Sequence, residues 1–393
     1  MHLIHTGGGS GASARPGRKV PTMGPLRPLA LAAVLILPAP LPAADDPDVV
    51  LYLVGDAGGK VADLSLVFTR LAAEAAGDGG RSVVAILGDN VYPAGLPDRE
   101  SPDRLEMESR LDAQLAAARA AGRGLVVPGN HDWARWTADG WNAIRREEAF
   151  VKGHGGETVA FAPSGGCPGP VVLDVGATVR LLVLDTQWWL HEYEKPVGAS
   201  SPCAEKSEDD VVAALREALR TAGARRTVVL AHHPLDAGGL SGSHYTWRDH
   251  LFPLTPFVPW LWLPMPVFGS LTVAGRTAFA NQQFQVAPKY RNLRAAMERA
   301  FDPVPPFVWA AGHDHSLQVI RLPGKKPIWN LVSGAGGGSK SVSPVQEIAG
   351  TVFCRSVPGY MKIVFERSGR ARLAVVATPA SGTTETIFAL PLD

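Results

Sequence analysis

Cysteine is scarce: the 393-residue chain has three, at 167, 203 and 354, and no C-x-x-C pair, which argues against a cysteine metal site. A surplus of one charge sign is also missing. Lys and Arg number 38 against 37 Asp and Glu, so the net charge of +1 gives no electrostatic footprint for nucleic acid, and none is expected as a partner. No proline-free apolar run approaches the roughly 20 residues that a membrane-spanning helix needs. The 42 glycines and 33 prolines follow no G-X-Y period, which excludes collagen, and 46% apolar residues exclude disorder as the dominant state. What remains is a loop-rich globular chain with a sizeable core.

The first 44 residues carry four cations (Arg15, Arg18, Lys19, Arg27), no acidic residue, the apolar run Leu29 to Leu37 and the small-residue stretch Pro38 to Ala44. That order reads as a secretory signal peptide, so the expected location is periplasmic or secreted. Met23 opens a compact leader by itself, and residues 1–22 are read as an upstream start extension. Removing 1–44 lowers Lys and Arg from 38 to 34 against 37 acidic residues, a charge near −3. Export favours a disulfide. Cys167 and Cys203, in one Gly/Pro-rich region, are the favoured pair, with Cys354 left over in a strand.

From Asp48 onward, β-branched runs alternate with helical periodicity, the pattern of a layered α/β domain over residues 45–393. Strands are expected at Val49–Val54, Ser82–Leu87, Gly124–Val127 and Thr227–Ala231. A hairpin follows from Val171–Asp174 and Val179–Leu184. Helices are expected around Leu64–Leu71, Leu105–Ala118 and Val211–Leu219. Six strands crowd the C-terminal part, from Phe307–Ala311 to Thr386–Leu390. Two packed mixed sheets with outer helices, a four-layer α/β/β/α sandwich, follow. A Trp/Pro-rich insertion at about 240–290 interrupts the pattern. Within it, Leu251 to Val273 has no formal charge and five prolines, which predicts irregular backbone rather than a helix.

Polar residues of metal-ligand type cluster directly after the expected strands: GDAGG (55–59), GDNVY (88–92), GNHDW (129–133), AHHP (231–234) and GHDH (312–315). One such block is an ordinary turn. Five, each following an apolar strand, point to a site built on strand ends. In this array the chain resembles the calcineurin-like metallophosphoesterase family, whose blocks run D-x-[HG], GD-x-x-[DY], GN-H-[DE], H and GH-x-H. Gly58 stands where most members have His, and Tyr92 follows Asp89 by three. That pair resembles the purple acid phosphatase branch, as does SGAG at 333–336.

The resemblance implies two metal ions. Asp56, Asp89, Tyr92 and His315 would hold the first; Asn130, His232 and His313, with Asp89 bridging, the second. A tyrosinate needs a strongly Lewis-acidic partner, so Fe(III) is expected in the first group and a divalent Fe, Zn or Mn ion in the second. Strand alternation and the H-x-P spacing select His232 over His233. His131 is the candidate general acid, Asp132 the residue expected to orient it or to support the metal ligands from behind, and His244 the candidate phosphate contact, with an ordinary loop histidine the competing reading. Lys340, in GAGGGSKS (334–341), is a weaker substrate-contact candidate. That segment lacks the G-K-[ST] core of a phosphate-binding loop.

The expected reaction is hydrolysis of a small phosphate monoester by a metal-bound hydroxide. The alternatives are a phosphodiesterase or nucleotide hydrolase using two divalent ions, and a non-catalytic, envelope-associated metal-binding protein. For residues 251–273 two roles stand side by side: a cap folded over the site, or a peripheral membrane contact with tryptophans at headgroup level.

Overall fold

The computed structural model describes residues 46–255, 258, 260–278, 280–324, 328–379 and 384–393. The leader expected at 1–44 lies outside the described residues. Residues 45–393 make one compact unit.

The N-terminal half of that unit runs β1 (Pro47–Val54), α1 (Val61–Gly77), β2 (Ser82–Leu87), α2 (Arg104–Ala120), β3 (Gly124–Val127), α3 (Gly140–His154), β4 (Val159–Phe161), β5 (Val171–Val175) and β6 (Val179–Val183). It continues through α4 (Thr186–Leu190), α5 (Glu208–Arg220), β7 (Arg226–Leu230), α6 (Trp247–Leu251), α7 (Pro266–Ala278) and α8 (Pro288–Ala300). Strands close the chain: β8 (Val308–Ala311), β9 (Leu317–Leu322), β10 (Ile328–Ser333), β11 (Thr351–Arg355), β12 (Gly359–Glu366), β13 (Ala371–Ala377) and β14 (Glu385–Pro391).

The strands form two seven-stranded mixed sheets, in the orders β14-β13-β12-β1-β2-β3-β4 and β11-β9-β10-β8-β7-β6-β5. β1 is the hinge of the first sheet: Leu51 pairs in parallel with Val83 and antiparallel with Ile363. Its side chains alternate between two buried environments. Val49, Leu51 and Leu53 enter the core between the sheets, with Leu181, Val228 and Ala310 of the other sheet. Val50, Tyr52 and Val54 join the core beneath the helices, with Phe68, Leu71 and Leu115. Burial on both faces explains why these strands read as continuous apolar runs.

The expected sandwich is therefore present, and the disulfide joins Cys167 to Cys203. Besides the short β4, α4 and α6, which the sequence reading does not contain, three longer elements differ from it. α3 hides its apolar stripe because Glu147 sits buried in the middle of it, beside Ile144, Phe150 and Val151. α8 buries Tyr290, Leu293, Met297 and Ala300 at helical spacing, in a stretch read as the end of the insertion and the approach to β8. Inside the insertion the expected irregular backbone is corrected. Pro266 opens α7 rather than breaking it, since the first helical position needs no N–H donor.

The bridge closes a loop of 36 residues, which chain-entropy estimates value at roughly 4 kcal/mol. Converting both cysteines to serine is expected to lower the urea-unfolding free energy by up to about that amount. Metal content should stay unchanged, because neither sulfur touches the strand-end blocks.

Candidate metal centre

The parallel strands β1, β2 and β3 of one sheet and β7 and β8 of the other end at a common edge, and each block sits just past its strand. Backbone bonds weld the two sheets together there. The Gly55 N–H donates to the Ser333 carbonyl at 2.8 Å, and the Gly336 N–H donates back to the Gly55 carbonyl at 3.0 Å. The backbone bends sharply at this edge. Asp56, Asp89 and His313 adopt φ of 57°, 54° and 70°, a left-handed conformation that non-glycine residues rarely hold without support.

Asp56, Asp89, Tyr92 and His315 converge as the first expected group. The Tyr92 Oη lies 3.3 Å from Asp56 Oδ1, 3.2 Å from Asp89 Oδ2 and 3.0 Å from His315 Nε2. The His315 Nδ1 faces the Ser341 carbonyl at 2.7 Å, so in the neutral ring Nε2 turns its lone pair toward the two carboxylates. Burial, then Asp89 and Asp56, push the Tyr92 phenol well above its ordinary value. For His315, burial is outweighed by the hydrogen bond and charge of Asp56, and the ring is raised to about 9.

Asn130, His232 and His313 form the second group. His232 Nδ1 donates to the Leu87 carbonyl at 2.8 Å and His313 Nε2 to the Gln283 carbonyl at 2.9 Å. Their remaining nitrogens therefore present lone pairs, 2.8 and 3.0 Å from Asn130 Oδ1 and 3.3 Å from each other. Burial and His232 pull His313 down to about 4, which keeps it neutral. Three acceptors facing one another without a hydrogen between them repel, and a cation resolves the conflict. The donor sets, oxygen-rich in one group and nitrogen-rich in the other, fit two metal ions.

His233 lies within ligand distance of His232 and His313. Both of its nitrogens are already engaged, however, by Thr186 Oγ1 and Gln283 Oε1, each at 2.8 Å. His232 is thus the histidine free to ligate.

Gly58 and Tyr92 are interlocked. The Gly58 N–H donates to Asp89 O at 2.8 Å and its carbonyl accepts from Tyr92 N at 3.0 Å. A Cβ at residue 58 would sit 2.6 Å from Tyr92 N and 2.7 Å from Val91 N. A side chain at residue 58 therefore meets backbone atoms of the Asp89–Tyr92 turn unless that turn shifts.

His131 is held at both ends. Its N–H donates to Asp89 Oδ1 at 2.8 Å, and its Nδ1 lies 2.6 Å from the Pro93 carbonyl. Nε2 is left 3.9 Å from Asp89 Oδ2, in a cavity of about 290 Å³ shared with Asn130, Trp136, Phe284, His313 and His315.

Two expectations are corrected. Asp132 does not orient the His131 imidazole; its carboxylate points away and accepts the N–H groups of Asn90 (2.9 Å), Val91 (3.1 Å) and Gly129 (2.7 Å). Consecutive residues project in different directions, and the Pro93 carbonyl takes the orienting role instead. His244 is not brought to the metal groups. It lines the adjoining cavity of about 540 Å³ and places Nε2 on Asp236 at 2.7 Å, a hydrogen bond that raises its pKa. Lys340 extends into solvent and pairs with Asp63 at 3.1 Å.

Three supporting residues have no local sequence signal. Asn90 donates Nδ2 to Val127 O, Asp132 and Glu147. Glu147 is buried beside Asp132, and burial lifts it to about 7, so this acid pair keeps a proton. Gln283 arrives from the insertion, 30 residues before His313, which it holds by its carbonyl.

The raised His315 pKa makes a stability prediction with a definite sign. A folded value of about 9 against an ordinary 6.5 means that protonation stabilises the metal-free fold. That contribution is complete below about 6.5 and is lost as pH rises through 9. The Tm of metal-stripped protein should fall across this window. Loading with metal should flatten the profile, because the cation replaces the proton, and a pH-stat should record proton release on loading.

Three solved structures share the fold. The GAP50 anchor of the inner membrane complex of Plasmodium aligns over 88% of both chains at 16% identity, with a TM-score of 0.51. The purple acid phosphatase PPD1 of yellow lupin (Lupinus luteus) seeds aligns over 87% of this chain and 53% of its own, at 14% identity and a TM-score of 0.52. PhoD aligns over 90% of this chain and 72% of its own, at 14% identity and a TM-score of 0.52. No curated protein matches. The model of the calcineurin-like phosphoesterases matches residues 49–258, more than half of the chain and four of its five strand-end blocks. The chain belongs to the calcineurin-like phosphoesterase family.

Proposed function

We propose that the protein is an exported phosphomonoesterase of the purple acid phosphatase kind. The observation that carries this reading is the pairing of two convergent donor groups with an imidazole nitrogen, His131 Nε2, that faces the same open cavity without serving either group. A purely structural metal site closes its coordination shell and needs no such neighbour. The Cys167–Cys203 bridge supports export, since disulfides persist in oxidising compartments.

Bound at the Asp56/Asp89/Tyr92/His315 and Asn130/His232/His313 groups, with Asp89 between them, two cations would neutralise the phosphoryl oxygens and lower the pKa of water. The chain's own residues do the rest. His131, fixed through Nδ1 on the Pro93 carbonyl, holds a proton at Nε2 for the departing alcohol oxygen. Trp136 and Phe284 give the cavity its aromatic wall. The larger neighbouring cavity shares Leu240, Asn281 and Phe284 with it and would receive the alcohol half of the ester.

His131→Ala is expected to keep both metals and to lose roughly 10²- to 10⁴-fold in kcat on alkyl phosphates. It should lose far less on p-nitrophenyl phosphate, whose leaving group needs little protonation. Equal losses on both esters would rule out the acid role.

Tyr92 favours Fe(III) in the first group, because only a strongly Lewis-acidic ion displaces a proton from a phenol held this firmly. Purified protein is expected to contain iron and to absorb in the visible. Tyr92→Phe should abolish the band with the fold intact. Iron-free protein that is fully active with divalent ions would instead support the two-divalent-ion reading.

A further inference from the structure

Of the fourteen large apolar side chains exposed among the described residues, seven lie between residues 247 and 271. Trp260 is 78% exposed, Val267 74%, Leu271 66% and Trp247 65%, with Trp262, Leu263 and Phe268 about half exposed. Such a patch exceeds what soluble monomers ordinarily leave uncovered. It is not a loose segment. The α6 and α7 helices cross so closely that a Cβ on Gly269 would lie 2.0 Å from the His250 carbonyl, and Met265 N–H donates to Leu251 O at 2.7 Å. The hairpin is thus a built element that presents Trp247, Trp260, Trp262 and Phe268 outward, and among its described residues Asp249 lines the larger cavity. The described insertion residues that reach the smaller cavity lie on either side of the hairpin: Leu240 and Ser241 before it, and Asn281, Gln283 and Phe284 after it.

The hairpin's own charge leans positive: over 247–278 it carries Arg248 and Arg276 against Asp249 alone, while farther along Lys289 is paired with Glu192 and Arg294 with Asp236 and Glu298. Asp249 itself is consumed in capping α6, accepting from the Thr246 N–H and hydroxyl at 2.6 and 2.8 Å. The Arg248 guanidinium lies 5.7 Å from the Trp247 ring and 5.9 Å from that of Trp262. Tryptophans beside arginine, on an apolar element whose one carboxylate is engaged in its own helix cap, match the headgroup level of a membrane, where indole sits with its ring in the acyl boundary and its N–H in water.

We propose that the 247–278 hairpin docks on an anionic phospholipid bilayer. The apolar side chains supply insertion and the basic residues supply attraction to the negative surface. A self-association face fits less well, because two copies would bring Arg248 and the acid-free stretches together with nothing to neutralise them.

The test uses residues 45–393, which hold both cores, so that the apolar run 29–37 cannot contribute. Sedimentation with phosphatidylcholine vesicles, with and without phosphatidylglycerol, is expected to show binding that needs the anionic lipid and weakens at raised salt, with a blue shift of tryptophan emission. Trp260→Ser/Trp262→Ser should cut partitioning roughly tenfold or more. Trp260→Phe/Trp262→Phe should retain most of it. Hydrolysis of p-nitrophenyl phosphate in solution, which reports the proposed reaction separately, should be the same in all three proteins. Failure of the wild type to bind either vesicle overturns the proposal, as does unimpaired binding by the serine variant. So does a soluble dimer that the serine variant dissociates, which would identify the face as an interface between copies.

Discussion

The Asp132 carboxylate holds the metal edge together. Its two oxygens take three backbone N–H groups, from Asn90, Val91 and Gly129, and so fasten the loop after β2 to the loop after β3. Without it three buried donors would lose their partner, at roughly 1–3 kcal/mol each. The left-handed turn at Asp89 lies next to this clamp, and the closeness it enforces is severe: a Cβ on Gly129 would meet Asp89 N at 2.3 Å. Asn90 extends the clamp to Glu147 on α3, which explains a charged residue in the middle of a buried stripe. The buried acid pair is tolerable because it is densely hydrogen-bonded and keeps a proton.

That clamp sets up an electrostatic conflict on its other side. The two donor groups are brought within hydrogen-bond range of one another although most of their atoms are acceptors. In the metal-free protein, protons on Tyr92 and His315 ease the repulsion between the carboxylates. The nitrogen-rich group has no such relief, since His232 and His313 spend their N–H groups on the carbonyls of Leu87 and Gln283. Rigid backbone, not side-chain attraction, keeps the acceptors together. Binding free energy for cations is thus stored as native-state repulsion, and the folded state is the only one that can release it.

Most of this was legible in the sequence, for a physical reason. The blocks GDNVY, GNHDW and GHDH are local: each ligand lies within a few residues of the strand that aims it, so chain order conveys spatial order. The sheets were legible because central strands buried on both faces are unbroken apolar runs. What escaped depends on long-range approach. Nothing near Glu147 or Gln283 signals that the first meets Asn90, 57 residues away, or that the second meets His233, 50 residues away. For Asp132, adjacency to His131 leaves two roles open in the sequence, and only backbone direction decides for support of the ligand loops over a contact with the imidazole. Pro266 was taken for a helix breaker because its position in the helix, not its identity, decides its effect.

The insertion then divides the proposed site by origin. The phosphate half would rest on strand ends, whose positions are set by sheet register and by the Asp132 clamp. The alcohol half would meet Leu240, Asn281 and Phe284, all from the insertion, beside a cavity lined by His244, Tyr245 and Gln346. Among the ties that bind these halves are the Gln283 carbonyl on His313, the Gln283 Oε1 on His233 at 2.8 Å, and the Asp314 carboxylate, which accepts the N–H groups of Gly239 at 3.2 Å and Ser241 at 3.0 Å. The ties to the GHDH block run through backbone atoms of the insertion, so apart from Gln283, whose side chain holds His233, side chains there can change without disturbing the metal edge. Substrate choice can therefore drift while the chemistry stays fixed, which is the usual relation between a rigid scaffold and the loops that dress it.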